Sequence, residues 1–318
     1  MIKENNKQLQ EKQNLVDRAI REVPGFEMMY RRFRRNLSVL GRSTGTLEGY
    51  GRHLASISLH FGRIPLELTS DDVQEYLFEL QNRSETPSQT CFKHTVYGLR
   101  FLLKSEGYPY DYLLLPKISA EKRLPVVLSK EEMWRMLRTP KPLKHKMVIG
   151  VIYGCGLRCF EVCQLRLRDL DFDRRVLHVV QGKGKKDRII PLSDHLIRGL
   201  QAYIAAEHPV EWLFNGKPEV DSTGHLVEST YSQRAVQWVV KEVSKQAGIL
   251  KDVHVHTLRH TYATHLLEDG LDIITLKELM GHSRIETTME YLHVARYHPL
   301  RAFSPIDTLF SQCGPKRK

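Results

Sequence analysis

The sequence predicts a mainly α-helical protein of two domains, a helical N-terminal one and an α+β C-terminal one with a small antiparallel sheet. Three observations carry this. The 318 residues exceed one typical domain and are enough for two separate cores. Apolar residues recur at helical spacing through residues 26–107, as in Phe33, Leu37, Leu40, then Val73, Tyr76, Leu77, Leu80, then Phe92, Val96, Leu99. The period then shortens to that of strands at residues 169–173, 176–180 and 188–192, before helical spacing returns from residue 230.

Taken in order, residues 1–25 mix polar and charged side chains, close on Pro24-Gly25 and read as an N-terminal extension. Residues 26–107 read as four or five helices. Ser43-Thr44 and Thr69-Ser70-Asp71-Asp72 place side-chain oxygens where they can cap the free amides of two helix starts. Residues 108–125 contain Pro109, Pro116 and Pro125 without a sustained period, which predicts a linker. The second domain then spans residues 126–318. Ser129-Lys130-Glu131-Glu132 has the spacing of a capping box. Residues 146–165 read as one buried helix, and Gly248, Gly270 and Gly281 as stops in the helical region that follows.

Lys and Arg number 48 against 37 Asp and Glu, a formal charge of +11 that is spread through a foldable sequence. Such an excess favours a polyanionic partner, nucleic acid before small anions, because neutralising phosphates releases condensed counterions. Arg31, Arg32, Arg34 and Arg35 cluster at the start of the helical domain and read either as a solvated face or as contacts to a DNA backbone. No apolar stretch has the length of a signal peptide core or a bilayer span, so a cytoplasmic protein with no membrane partner is expected. Five cysteines are too few and odd in number for a disulfide framework. Cys155, Cys159 and Cys163 would line one side of the predicted 146–165 helix, as small packing residues or as a redox-sensitive set.

Chemistry-bearing residues gather in a few boxes. They are Gly154-Cys155-Gly156-Leu157-Arg158-Cys159-Phe160-Glu161, His256-Thr257-Leu258-Arg259-His260, and Gly281-His282 followed nine positions later by Tyr291. A turn rich in lysine, Gly182-Lys183-Gly184-Lys185-Lys186, joins the last two predicted strands. It lacks the spacing of a nucleotide-binding loop and does not open a helix, so no nucleotide is implied. His254, His256, His260 and His265 invite a zinc reading, but the glutamate of a zincin motif is missing, and helix packing or phosphate contact accounts for them without metal.

These boxes resemble the tyrosine recombinase (phage integrase) family, whose pattern has an arginine in Gly-Leu-Arg-x-x-Glu, a hairpin lysine, His-x-Leu-Arg, Leu-x-Gly-His and a tyrosine nine residues on. Arg158, Lys183, His256, Arg259, His282 and Tyr291 fill the six catalytic positions. The 73-residue step from Lys183 to His256 is similar to that of Xer-type recombinases. The resemblance implies a helical core-binding, SAM-like DNA-binding domain at 26–107 and a catalytic domain at 126–318 with a C-terminal tail at 292–318. It implies a site-specific recombinase that cleaves and rejoins duplex DNA through a 3′-phosphotyrosine and a Holliday junction, for integration, excision or resolution. Its partners would be double-stranded recombination sites and further copies of the chain in a tetrameric synapse, the apolar tail docking in a neighbouring protomer, against the alternative of a tail folded back on its own domain. No cofactor is implied.

The required chemistry agrees with these residue types. A phenol can form a covalent phosphoester without metal, which suits Tyr291. Charge growing on the non-bridging phosphate oxygens calls for guanidinium forks, Arg158 and Arg259. Lys183 can protonate the leaving 5′-oxygen, although Lys185 and Lys186 lie close enough to take that role or to bind phosphate. His256 could bind the phosphate or relay the tyrosine proton, and His282 adds another phosphate hydrogen bond. Glu161, one turn after Arg158, would hold a neighbouring cation in place. A type IB topoisomerase shares nearly this active site and differs in its product, while a non-catalytic DNA-binding relative would have lost a member of the set.

Overall fold

Helix formation follows the apolar spacing closely in the first of the two units, Met1–Glu121 and Lys122–Lys318, into which the chain divides in this computed structural model. Residues 14–41, 43–82, 89–118, 124–180, 187–220 and 224–295 are described. The first unit holds α1 (Leu15–Glu22), α2 (Phe26–Val39), α3 (Thr44–Phe61), α4 (Ser70–Asn82) and α5 (Gln89–Ser105). On α2, Phe26, Met29, Phe33 and Leu37 fall on one stripe and are all buried. They share a core with Leu54 and Ile57 of α3, Val73 and Tyr76 of α4, and Val96, Leu99 and Leu102 of α5. Each such side chain contributes roughly 1.5–3 kcal/mol by leaving water.

Both predicted caps form. The Ser43 hydroxyl accepts from the Thr46 amide at the start of α3, and Thr69 and Asp72 cap each other at the start of α4, 3.2 and 2.9 Å apart. The N-terminal boundary differs from expectation. Helix α1 lies inside the stretch read as an extension, yet it buries Val16 and Ala19, with Val23 just beyond its end, in the core of the unit. Its apolar positions are too few to outweigh the polar composition around them. Residues after α5 also stay with this unit, since Leu113 and Leu115 are buried in the same core.

The second unit opens with α6 (Lys130–Arg138), whose Ser129–Glu132 capping box is complete. Next come α7 (Leu143–Cys155), α8 (Cys159–Cys163), β1 (Leu170–Asp171), β2 (Val176–Val179), β3 (Arg188–Pro191) and α9 (Asp194–Glu207). A short hairpin of β4 (Glu219–Val220) and β5 (Leu226–Val227) precedes α10 (Gln233–Gln246), α11 (Val255–Glu268), α12 (Ile273–Met280) and α13 (Glu286–Met289), and a 3-10 turn covers Glu290–His293. The strands β1-β2-β3 form an antiparallel sheet in which Leu177 faces Ile190, both buried. The core gathers Val148, Ile149, Val151 and Ile152 of α7 with Leu200 of α9, Leu258 of α11 and the valine stripe 236, 239, 240, 243 of α10.

The helix expected over residues 146–165 is two helices. Gly156 ends α7 with φ +59°, a left-handed conformation that glycine adopts without strain. A Cβ there would lie 2.4 Å from the Tyr262 ring, so close approach of α11 reinforces the need for glycine. The break corrects the cysteine reading as well. Cys155 closes α7 while Cys159 and Cys163 belong to α8, so the three do not line one helix. All three are buried and unbridged. Burial pushes the Cys155 thiol up to about 12, which suits a packing residue.

Candidate active site

Two helix ends and one helix face make up the site. Arg158 is the N-cap of α8, placed by the turn at Gly156, and its side chain folds back onto Glu161, Nη1 to Oε1 2.7 Å. Arg188, the first residue of β3, forks onto the same carboxylate at 2.9 and 2.7 Å. Arg259 rises from α11 with Nη1 4.0 Å from Glu161 Oε2. One buried carboxylate therefore serves three guanidiniums.

The arginines are also held by the C-terminus of α12. A helix leaves its last carbonyls without intrahelical donors, and that end carries partial negative charge. Here Leu279 O accepts from Arg188 Nε at 2.8 Å, Met280 O and Gly281 O accept from Arg158 Nη2 at 3.1 and 3.2 Å, and Met280 O also accepts from Arg259 Nη2. Arg259 Nη1 donates to Gly156 O, the glycine that closes α7. Gly281 takes φ +60° and turns the chain so that His282 follows directly.

The tautomer of His282 follows from its partners. Arg259 Nη2 lies 3.3 Å from His282 Nε2 and can only donate, so Nε2 is the acceptor. Nδ1 then carries the proton and donates to Thr288 Oγ1 at 3.0 Å. Burial, then the charges of Arg259 and Arg158, pull His282 down to about 4. The His282 ring stacks on Tyr291 with centroids 6.2 Å apart and planes 15° apart. Tyr291 is itself only 3% exposed, and its Oη lies 3.0 Å from His260 Nδ1. Burial pushes the phenol above its ordinary value, against the pull of Arg259.

Charge in the pocket is unbalanced. Burial, followed by repulsion from Arg158, draws Arg259 down to about 9 although Glu161 opposes the shift. Burial alone would raise the Glu161 carboxyl, but the hydrogen bonds and charge of Arg188, then the Arg158 amide and charge, hold it at about 2. Three cations around one anion leave a net positive, mostly dehydrated pocket suited to a phosphate.

The folded value of Glu161 lies below its ordinary 4.5, so its contribution to stability is complete above that range and disappears as pH falls toward 2. The shift corresponds to about 3 kcal/mol. Glu161→Gln should therefore lower the unfolding free energy at neutral pH by about 3–5 kcal/mol, since it strands buried cations. It should also flatten the loss of stability between pH 4.5 and 2 in thermal melts. Acid slopes that run parallel in variant and wild type would contradict this assignment.

The structure thus brings Arg158, Glu161, Arg259, His282 and Tyr291 together. His256 is exposed on α11 with its ring 6.3 Å from that of His260. Lys183, Lys185 and Lys186 lie outside the described residues, between antiparallel β2 and β3. In the first unit Arg31 pairs with Glu27 and Arg32 with Glu106, both at 3.0 Å, while Arg34 and Arg35 are exposed. Among the described residues no three or more His, Cys, Asp or Glu are arranged to hold a metal ion, and no helix is long and apolar enough to cross a membrane. Sequence reasoning missed Arg188 and His260. The first stands in a strand with no motif to mark it, and the second is one of several neighbouring histidines, its place next to Arg259 being the signal that could have found it.

The sequence pattern of the phage integrase family matches residues 127–298, over half of the chain and every element of this site. The chain belongs to the phage integrase family. A tyrosine recombinase of Thermosipho africanus is 34% identical over 267 residues, covering 80% of this chain and 90% of that protein. Tyrosine recombinase XerA of Thermococcus onnurineus is 32% identical, covering 84% and 90%. The integrase of transposon Tn1549, solved with transposon right end DNA, shares the fold at a TM-score of 0.60 and 17% identity, covering 89% of this chain and 98% of that one. This family member is accordingly a tyrosine site-specific recombinase.

Proposed function

We propose that the protein cuts and rejoins double-stranded DNA at paired recombination sites, through a 3′-phosphotyrosine intermediate and a Holliday junction. The observation that carries this reading is the positive pocket of Arg158, Arg188 and Arg259 directly beside a buried phenol, Tyr291. A phosphodiester entering it would meet guanidinium forks on its non-bridging oxygens, whose charge grows in the transition state. Three of the five N–H donors of Arg158 and of Arg259 are engaged by protein, which fixes each fork while leaving others for the phosphate.

Tyr291 is the nucleophile and Lys183 the donor of a proton to the leaving 5′-oxygen, with Lys185 and Lys186, two and three positions further along the sequence, contacting phosphate. The arriving phosphate charge raises the basicity of His282. Once protonated, its Nε2 donates to the phosphate and gives up the bond it accepted from Arg259 Nη2, which frees that donor for the phosphate as well, while exposed His256 contacts the DNA backbone. Glu161 positions the arginines. Residues 26–107, with exposed Arg34 and Arg35, add sequence-independent phosphate contacts of their own to DNA binding. Four copies pair two sites, joined through residues 292–318, most of which lie outside the described residues. The relatives solved with DNA support this partner, among them XerH bound to its difH substrate.

The product decides between recombination and simple nicking and closing. A binding site selected by the protein from random-sequence DNA, placed twice in direct repeat on a supercoiled plasmid, should yield two smaller circles. Relaxed topoisomers alone would move the reading to a topoisomerase.

A further inference from the structure

His260, which the family resemblance did not place in the catalytic set, lies within hydrogen-bond distance of the Tyr291 hydroxyl. We propose that His260 Nδ1 takes the phenolic proton of Tyr291 as Oη attacks phosphorus, and returns it when the strand is rejoined. The inference deepens the proposed function and rests on its assignment of Tyr291 as nucleophile.

Geometry comes first. His260 Nδ1 and Tyr291 Oη are 3.0 Å apart, within reach for proton transfer, with the two rings 5.5 Å apart. His260 occupies the position directly after Arg259 on α11, so one helical turn delivers both a phosphate-binding fork and a proton acceptor. One turn earlier, His256 lies toward solvent with its ring 6.3 Å from that of His260, on the outer side of the pair.

The surroundings keep His260 ready to accept. The groups facing it or its partner are His256 and Arg259 on α11, Tyr291 and Glu290 on the 3-10 turn, His282 after α12, and Arg158 at the head of α8. Burial, then His256 and Arg259, pull the imidazole down to about 4, so at neutral pH it is uncharged. The proposal requires the tautomer with the ring proton on Nε2, in which the Nδ1 lone pair receives the phenolic O–H. So weak a base does not ionise a resting phenol. It becomes competent as the Oη–P bond forms, because phosphorylation makes the phenolic proton acidic. In that step Oη–P forms, P–O5′ breaks, the phenolic proton moves to Nδ1, and the 5′-oxygen takes its proton from the lysine donor. Rejoining reverses each transfer.

The test is single-turnover formation of the covalent adduct on a nicked duplex bearing the selected site. His260→Ala and His260→Asn should each slow it by about 10²-fold at neutral pH. The deficit should shrink as pH rises, and 3,5-difluorotyrosine at position 291, an acidic phenol that needs little help from a base, should restore most of the rate. Half-site binding by the variants checks that they are folded. An equal deficit at every pH with no gain from difluorotyrosine would reduce His260 to packing, and an unchanged rate would overturn the inference outright. Tyr291→Phe separates the two layers. An adduct persisting in that variant would sink the assignment of the nucleophile itself, whereas its loss together with normal His260 variants would sink only the base.

Discussion

Tyr291→Phe is expected to abolish covalent attachment to DNA, by a factor on the order of 10⁴ or more, while half-site binding persists. The substitution removes one oxygen and leaves the ring. That ring still stacks on His282 and still packs with Tyr262, Ala263, Leu276 and Met280. The arginine forks and their carbonyl partners on α12 involve no atom of Tyr291, so affinity for the phosphate should hold. The structural cost is the lost bond to His260, about 1 kcal/mol for one hydrogen bond left unmade. Denaturing gels of protein mixed with labelled nicked duplex would report the adduct, and mobility shifts the binding. Any residual adduct would assign the nucleophile to another residue. Loss of binding together with cleavage would show that the hydroxyl matters to the fold of the site.

How much of this was legible in the sequence depends on where each residue sits. Arg158, Glu161, Arg259, His282 and Tyr291 occur in short boxes because they lie at helix ends or on one helical face, where local geometry ties a side chain to its near neighbours. The caps at Ser43, Thr69 and Ser129 were readable for the same reason. Contacts across long separations were not. Arg188 reaches Glu161 from 27 residues away and Leu279 from 91, and nothing in a four-residue strand announces either partner. His260 meets Tyr291 across 31 residues, and its neighbour His256 fitted the motif better. The break at Gly156 was hidden by an apolar run that continues on both sides of it. The left-handed backbone at Gly156 and the close approach of Tyr262, a tertiary contact, both call for glycine there, and neither shows in the local apolar pattern.

Arg259→Lys is expected to slow cleavage by about 10²–10³-fold with little change in DNA affinity. Lysine keeps the charge, so the long-range attraction of the pocket survives, but its ammonium is a point donor on a flexible stem and cannot act as a fork. Arg259 needs a fork because it holds three partners at once. It bonds Gly156 O at the end of α7, Met280 O at the end of α12, and His282 Nε2. Those bonds fix the guanidinium plane before any phosphate arrives, and preorganisation of this kind lowers the barrier to reaction without tightening ground-state binding to the same degree. With lysine, at least one of these buried acceptors goes unpaired and His282 loses the donor that sets its tautomer. The variant should therefore melt at lower temperature as well as react slowly. Single-turnover rates at saturating duplex, set beside half-site affinity, separate the two effects. A rate within a few-fold of wild type would mean that charge alone suffices at this position, and the fork would then be a fastening between α7 and α12 with no part in the reaction.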